Sequence, residues 1–355
     1  MNNIFKILVP TVLLLNACSK DDPITAPPVL QPSKGIYVLS EGSGGNNSKL
    51  GFYNIGNGTF NGDFFKQQNG SDLGQIANDM IQYGSKIYIV MNESSNVTVI
   101  TAATAMLIKR IDLVNGATKR FPRYAAAYKS NVYVSATDGT VSVIDTASLA
   151  IVKTIPVGAN PEGLAVSGNY LYVANSGGYN ASPDSTVSVI DLNTQMEIKK
   201  IITGTKNSQR VEVNSIGDVY VSGYGNFGSI PASVSVINSS TNTIKSELGA
   251  SYNYPFFRLY HDVAFFYNNY GGSGTAKVYN TVTNTLIRAE FITDASIVTT
   301  PYGLNIDEEN GDVYITDAKD YSSAGSVTCF DKDGKKKFSF SVAPGINPNK
   351  VIFTR

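Results

Sequence analysis

The sequence has 355 residues, with 28 basic and 28 acidic side chains. No basic run stands out, and this argues against a nucleic-acid partner, because binding to a phosphate backbone depends on clustered lysine and arginine. Two cysteines are too few for a disulfide framework. Abundant glycine and alternating Val, Ile and Tyr residues predict strands and turns, and no segment has a convincing amphipathic helical pattern.

The chain begins with the pattern of an export signal. Lys6 gives a positively charged start, and residues 7–15 form an apolar stretch. This stretch is too short to cross about 30 Å of hydrocarbon as a helix. The next residues, Leu15-Asn16-Ala17-Cys18, fit a bacterial lipobox, so we expect residues 1–17 to be removed and Cys18 to be lipidated. The alternative is an ordinary signal peptide with an incidental cysteine.

A short polar tether follows the expected lipidation site. Ser19-Lys20-Asp21-Asp22 resembles the acidic export signal of surface lipoproteins of the Bacteroidota. That resemblance implies an outer-membrane location on the cell exterior, whereas the alternative is a solvated tether that is acidic by chance. Four prolines between residues 23 and 33 predict an extended spacer. We therefore assign residues 18–34 to the lipidated cysteine and tether, and residues 35–355 to one folded domain.

One strand type recurs along this domain. The mean spacing from Tyr37 to Tyr314 is about 46 residues. The seven copies are Ile36-Tyr37-Val38, Ile87-Tyr88-Ile89, Val132-Tyr133-Val134, Leu171-Tyr172-Val173, Val219-Tyr220-Val221, Val263-Ala264-Phe265 and Val313-Tyr314-Ile315.

Each copy has partner strands on both sides, which gives four strands per repeat. The sequence TVSVID follows at residues 140–145 and again at 186–191. Four-stranded units at this period are typical of propeller blades, so we predict an all-β, seven-bladed β-propeller. The C-terminal residues 348–353 are in phase with the strand that precedes the tyrosine strand elsewhere. They should complete the N-terminal blade and close the ring, which argues against the alternative, an open solenoid.

The segments VGANPEG (157–163), YVAN (172–175) and TVSVID (186–191) resemble the YncE-like, YVTN-type propellers. Together with the lipobox and acidic tether, they resemble the BtuG cobalamin-binding surface lipoproteins of Bacteroidota. This resemblance implies capture of cobalamin or a related corrinoid as a bound ligand, without a catalytic cofactor. It also implies transfer of that ligand to a TonB-dependent outer-membrane transporter, by a protein otherwise monomeric. No short motif in the sequence specifies cobalamin.

The four strands of a blade are called a to d from the centre outwards. The b–c and d–a loops emerge on one side, the long-loop face, and the a–b and c–d turns on the other, the short-turn face. Loops on the long-loop face are longer than is needed to connect two strands, as at residues 174–185, 223–232 and 268–274. Because function often resides in such loops, we expect the ligand there.

The candidate ligand-binding residues are aromatic, amide and arginine side chains, a mixture suited to a large, polar, amide-bearing organic ligand. Phe256 and Phe257 occupy equivalent positions, but we expect them to pack between blades. The candidates are Asn78, Arg123, Tyr124, Tyr179, Asn180, Gln209, Arg210, Tyr224, Asn226, Phe227, Tyr252, Tyr254, Tyr270, Tyr302 and Tyr321.

Catalytic and metal sites are not expected. His261 falls in an a–b turn, on the face opposite the long loops. The acidic segments 307–312 and 331–334 lack EF-hand spacing and fit hairpin turns. At the ring centre the pattern supplies only Asp79 and Glu162 as carboxylates. A lactonase-type hydrolase and a protein- or glycan-binding scaffold are the alternatives to a ligand-binding lipoprotein.

Overall fold

A computed structural model describes residues 34–178, 180, 182–248, 254–268 and 276–354. The expected signal peptide, Cys18 and nearly all of the tether lie outside these residues. Within the described ranges, no helix is long and apolar enough to span a membrane.

The described chain contains thirty strands and one short helix. The elements of the first three blades are β1 (Gly35–Ser40), β2 (Lys49–Asn54), β3 (Thr59–Asn61), α1 (Phe64–Asn69), β4 (Ala77–Tyr83), β5 (Lys86–Met91), β6 (Asn96–Thr101), β7 (Leu107–Asp112), β8 (Val114–Asn115), β9 (Thr118–Lys119), β10 (Pro122–Tyr128), β11 (Asn131–Ala136), β12 (Thr140–Asp145) and β13 (Ile151–Pro156).

The elements of the remaining blades are β14 (Pro161–Ser167), β15 (Tyr170–Asn175), β16 (Thr186–Asp191), β17 (Met196–Ile202), β18 (Ser208–Val213), β19 (Asp218–Gly223), β20 (Ser233–Asn238), β21 (Thr243–Glu247), β22 (Phe256–Tyr260), β23 (Val263–Tyr267), β24 (Lys277–Asn280), β25 (Thr285–Arg288), β26 (Pro301–Ile306), β27 (Val313–Asp317), β28 (Ala324–Phe330), β29 (Lys336–Ile346) and β30 (Pro348–Thr354).

These strands form seven four-stranded antiparallel sheets, and β8 and β9 form a separate small hairpin. The innermost strands contact one another in the order β4, β10, β14, β18, β22, β26 and β30, and β30 in turn contacts β4. The ring of inner strands is therefore closed. The predicted seven-bladed β-propeller is confirmed.

The first blade is assembled from both ends of the domain. Its order is β3-β2-β1-β30, and β1 pairs with β30 from Gly35↔Thr354 to Ser40↔Pro348. The side-chain amide of Asn349 donates to the carbonyl oxygens of Ala77 (2.8 Å) and Asn78 (3.1 Å) on the next blade. The closing strand predicted from the sequence is thus confirmed, and it is hydrogen-bonded both to β1 within its own blade and to the next blade.

The recurring tyrosine of the b strand fills the space between blades. Tyr37, Tyr88, Tyr133 and Tyr172 are among the largest fully buried side chains. The Tyr172 hydroxyl donates to the carbonyl oxygen of Ser239 (3.3 Å), in the c–d turn of the next blade. A buried tyrosine supplies a large apolar area for packing between blades, which accounts for its recurrence in the repeat.

One element departs from the sequence expectation. Residues 64–69 form the helix α1, which follows the three-residue strand β3 and ends at Gly70 with a left-handed backbone (φ 66°). Phe65 on this helix is fully buried, and the Arg110 guanidinium lies 5.6 Å from its ring centroid. A helix of six residues is too short to produce a readable amphipathic period.

Candidate functional site

The inner strands bring their first residues to the long-loop face through β-bulges. The strand register shifts at the start of six of the seven inner strands, at Asn78 in β4 and at Tyr302 in β26 for example. In β22 no shift is present. Because a bulge redirects side chains and ends regular pairing, residues of several blades converge at one end of the central channel.

These residues surround a cavity of about 300 Å³, called here the mouth cavity. Six of the seven blades contribute to its wall. The lining residues are Glu41, Asn78, Asp79, Arg123, Tyr124, Arg210, Tyr224, Phe256, Tyr302, Tyr321, Asn349 and Lys350.

Two ion pairs hold the wall of the mouth cavity together. The Nε of Arg123 lies 2.8 Å from the Glu162 carboxylate of the next blade, and the Lys350 amine lies 3.0 Å from the Asp79 carboxylate. Glu162 and Asp79 are both buried. Burial is the largest single influence on the pKa of Arg123 and lowers it, but the charge and hydrogen bond of Glu162, together with Tyr124 and Glu41, raise the pKa overall. Both pairs join neighbouring blades and fix the shape of the wall.

Arg210 is held by aromatic rings. Its guanidinium carbon lies 4.8 Å from the ring centroid of Tyr124 and 5.5 Å from that of Phe256. Within the described part of the chain, no carboxylate lies within 4.0 Å of the Arg210 guanidinium, and no hydrogen bond from it is present. Cation–π contacts orient this group, while its N–H donors remain available to the cavity.

The wall also contains a half-buried carboxyl group that the sequence analysis did not single out. The Tyr302 hydroxyl donates to Oε2 of Glu41 at 2.6 Å. Burial raises the pKa of Glu41, and the hydrogen bond from Tyr302 and the charges of Arg123 and Arg210 oppose that shift. Burial likewise raises the pKa of Tyr302, with the Glu41 charge acting in the same direction. Glu41 directly follows β1, where its neighbours in the sequence give no sign of a site.

Seven candidate residues from the sequence analysis lie together in the mouth cavity: Asn78, Arg123, Tyr124, Arg210, Tyr224, Tyr302 and Tyr321. Five described candidates lie outside its wall, and Phe227 among them stacks on a residue of that wall. Gln209 is buried and donates to the Asn207 side chain (2.7 Å), Tyr254 lies beneath the Lys277 amine (5.1 Å), and Asn180 and Asn226 are in b–c loops. Tyr179, Tyr252 and Tyr270 fall outside the described residues.

An aromatic shelf extends from the cavity towards solvent. Phe227, the remaining candidate, is 65% exposed and stacks on Tyr224 with ring centroids 5.6 Å apart. Tyr224 in turn meets Phe256 edge to face at 5.5 Å. Asn226 shapes this loop, because its side-chain oxygen accepts from the backbone amides of Gly228 (3.1 Å) and Ile230 (2.8 Å). The shelf offers a large exposed aromatic plane beside the polar cavity.

Below the mouth cavity, the central channel contains a second cavity with a volume of about 610 Å³. Asp79, Tyr124, Arg210 and Lys350 border both spaces. His261 lies in the a–b turn between β22 and β23, where the sequence placed it. Among the described residues, no group of three or more His, Cys, Asp and Glu side chains is arranged to hold a metal ion.

Fold and site together define a class: a β-propeller with a charged, aromatic cavity where its inner strands end. The chain belongs to the family described as a domain of unknown function (DUF5074), which matches residues 34–354. A search among curated proteins found no match.

Solved structures share this fold at low sequence identity. A quinoprotein alcohol dehydrogenase-like protein from Bacteroides thetaiotaomicron superimposes with a TM-score of 0.65 and 15% identity, over 91% of this chain and 79% of its own. Hydrazine synthase from Kuenenia stuttgartiensis gives 0.58 and 20%, over 70% and 74%. The computationally designed Ika8 protein gives 0.59 and 13%, over 90% and 91%. At these identities the similarity shows the propeller fold alone.

Proposed function

We propose that this chain is a cell-surface binding protein that captures cobalamin or a related corrinoid on its long-loop face. In this proposal, a lipid on Cys18 anchors it to the outer membrane, and it passes the ligand to a TonB-dependent transporter. The observation that carries the proposal is the mouth cavity, where arginine, tyrosine and asparagine side chains from five blades converge beside an exposed aromatic shelf.

The chemistry of a corrinoid matches this surface. Cobalamin has a flat macrocycle, peripheral amides and a phosphodiester. The Tyr224–Phe227 shelf supplies area for the macrocycle, and Asn78 and Arg210 supply polar contacts. Since the mouth cavity measures about 300 Å³, it holds one edge of so large a ligand, and the remainder lies across the loops. Aromatic side chains combined with a few well-placed polar groups are features of small-molecule binding sites.

The arrangement of carboxylates favours binding over metal-assisted hydrolysis. Each acidic side chain at the cavity already has a partner: Glu41 accepts from Tyr302, Asp79 pairs with Lys350, and Glu162 pairs with Arg123. Carboxylates that are already ion-paired or hydrogen-bonded stabilise the wall of the cavity. A lactonase-type reaction would instead need several of them directed at one metal ion.

Spectroscopic and calorimetric titration of the purified protein with cyanocobalamin tests the proposal. We expect saturable binding with one site per chain and no turnover of lactones, with or without calcium. Calcium-dependent lactone hydrolysis without corrinoid binding would support the hydrolase instead. Absence of cyanocobalamin binding would rule out the corrinoid assignment.

A further inference from the structure

The cationic side chains around the mouth cavity differ in whether an acidic side chain is paired with them. Of its three cations, Arg123 and Lys350 each have a carboxylate within 3.0 Å, whereas Arg210 has none among the described residues. Glu41 is the remaining acid, and its Oε2 accepts from Tyr302. A guanidinium has five N–H donors and stays charged at any physiological pH. Arg210 is therefore a half-buried cation with unused donors facing a cavity.

Two aromatic rings pack against Arg210 at the wall of the mouth cavity. The ring centroids of Tyr124 and Phe256 lie 4.8 and 5.5 Å from the guanidinium carbon. Among the described residues, none accepts a hydrogen bond from the N–H groups of this guanidinium, so these donors can serve a ligand. A planar pair of N–H donors fits two oxygens of a carboxylate or phosphate, and such charge-assisted bonds are stronger than neutral ones.

We infer that Arg210 is the docking point for an oxyanion of the ligand, a phosphate or carboxylate group that enters the mouth cavity from the long-loop face. This inference rests on the proposed binding function and specifies the ligand chemistry at the cavity. The oxyanion accepts hydrogen bonds from Arg210 and balances its charge. The ion pairs at Asp79 and Glu162 stay intact, because neither carboxylate needs to move.

The neighbourhood of Glu41 adds a second requirement. The carboxyl group of Glu41 interacts with the positive charges of Arg123 and Arg210 and accepts a hydrogen bond from Tyr302. An anion at Arg210 repels an ionised Glu41 and favours its protonated form. Because burial raises the pKa of Glu41, uptake of this proton is easier than for an exposed glutamate. Over the pH range in which the anion keeps its charge, oxyanion binding should therefore strengthen as the pH falls.

Titration with inorganic phosphate and with acetate, at constant ionic strength, tests the inference. The parent is compared with Arg210→Met and with Arg288→Met. Arg288 is a matched control, since its guanidinium also lies 5.5 Å from an aromatic ring, that of Phe291, but on the outermost strand of its blade. We expect saturable binding by the parent and by Arg288→Met, and at least tenfold weaker binding by Arg210→Met. Tenfold corresponds to about 1.4 kcal/mol.

Thermal unfolding with and without phosphate shows whether Arg210→Met is folded and whether phosphate stabilises it. Equal responses of the parent and Arg210→Met, or no response of the parent to either anion, would overturn the inference. Cyanocobalamin separates the two proposals. If it binds the parent and Arg210→Met equally well, the oxyanion site is wrong and the binding function stands. If it does not bind while phosphate does, the corrinoid assignment fails and the oxyanion site stands.

Discussion

At the scale of single residues, the hydrogen bond between Tyr302 and Glu41 shows what depends on the closed ring. The two residues are 261 positions apart in the sequence, and β26 and β1 belong to adjacent blades only because β30 closes the first blade. Tyr302 was predictable from its place in the repeat. Glu41 was not, because no local pattern marks the residue after a b strand as part of a site.

The raised pKa of Glu41 leads to a prediction about stability. A carboxyl group whose pKa is higher in the folded than in the unfolded state stabilises the fold below its unfolded pKa, about 4.3. That contribution is lost as the pH rises through the raised folded value. Glu41→Gln cannot ionise, so it should lack this loss, while its side-chain oxygen can still accept from Tyr302.

Urea unfolding of the parent and Glu41→Gln, measured from about pH 4 to about pH 7.5, checks this linkage. We expect the unfolding free energy of Glu41→Gln to increase relative to that of the parent as the pH rises. Other titrating groups, including the buried Glu162, are common to both proteins and cancel in the difference. Parallel pH profiles would show that Glu41 titrates normally.

At the scale of secondary-structure elements, neighbouring inner strands approach closely enough to restrict side-chain size. A Cβ added to Gly163 in β14 would lie 2.5 Å from the Gln209 carbonyl oxygen and 3.1 Å from the Cα of Arg210. Both contacts are with the backbone of β18, so they are relieved only by moving that strand. The position of Arg210 therefore depends on a glycine in the preceding blade.

Gly163→Ala should lower the unfolding free energy by about 1–3 kcal/mol, the usual cost of overpacking, and weaken ligand binding by displacing Arg210. Gly56→Ala is the control, because Gly56 lies in a c–d turn on the short-turn face and its added Cβ would meet no atom closer than 3.3 Å. Thermal unfolding and cyanocobalamin titration of both variants test the prediction. A Gly163→Ala protein that matches Gly56→Ala in both measurements would contradict it.

The closing strand β30 gives a prediction about the integrity of the ring. Removal of residues 347–355 deletes the strand that pairs with β1, together with the buried side chains Val351 and Ile352. Each such side chain contributes about 1.5–3 kcal/mol on burial, so the truncated protein should lose at least about 3 kcal/mol of unfolding free energy. Denaturant unfolding measures this loss, and an unchanged midpoint would exclude an essential role for the closing strand.

At the scale of the whole molecule, the architecture was predictable because the same strand pattern occurs seven times in the sequence. The spacing of the tyrosine strands, the TVSVID segments and the phase of residues 348–353 together determined blade number and closure. Helix α1 and the bulges at Asn78 and Tyr302 were not predictable. Each is a local departure from the repeat, and it depends on packing against neighbouring blades.

Anchoring is a prediction for the whole protein in its cell. If Cys18 is lipidated, Cys18→Ala should accumulate as uncleaved precursor or appear in the wrong compartment. Metabolic labelling with a fatty acid, together with protease accessibility of intact cells, measures both effects. Cys18→Ser is a second variant of similar size that also cannot form the thioether. Normal processing and surface exposure of either variant would contradict the lipoprotein assignment.

The central claim is that ligand binding occurs on the long-loop face. Hydrogen exchange of the purified protein, with and without saturating cyanocobalamin, tests this most directly because it locates the contact. We predict slower exchange in the b–c loops at residues 41–48, 224–232 and 318–323, and no change in the a–b turns at 214–217, 261–262 and 307–312. Protection confined to those a–b turns, or no protection anywhere, would contradict the account.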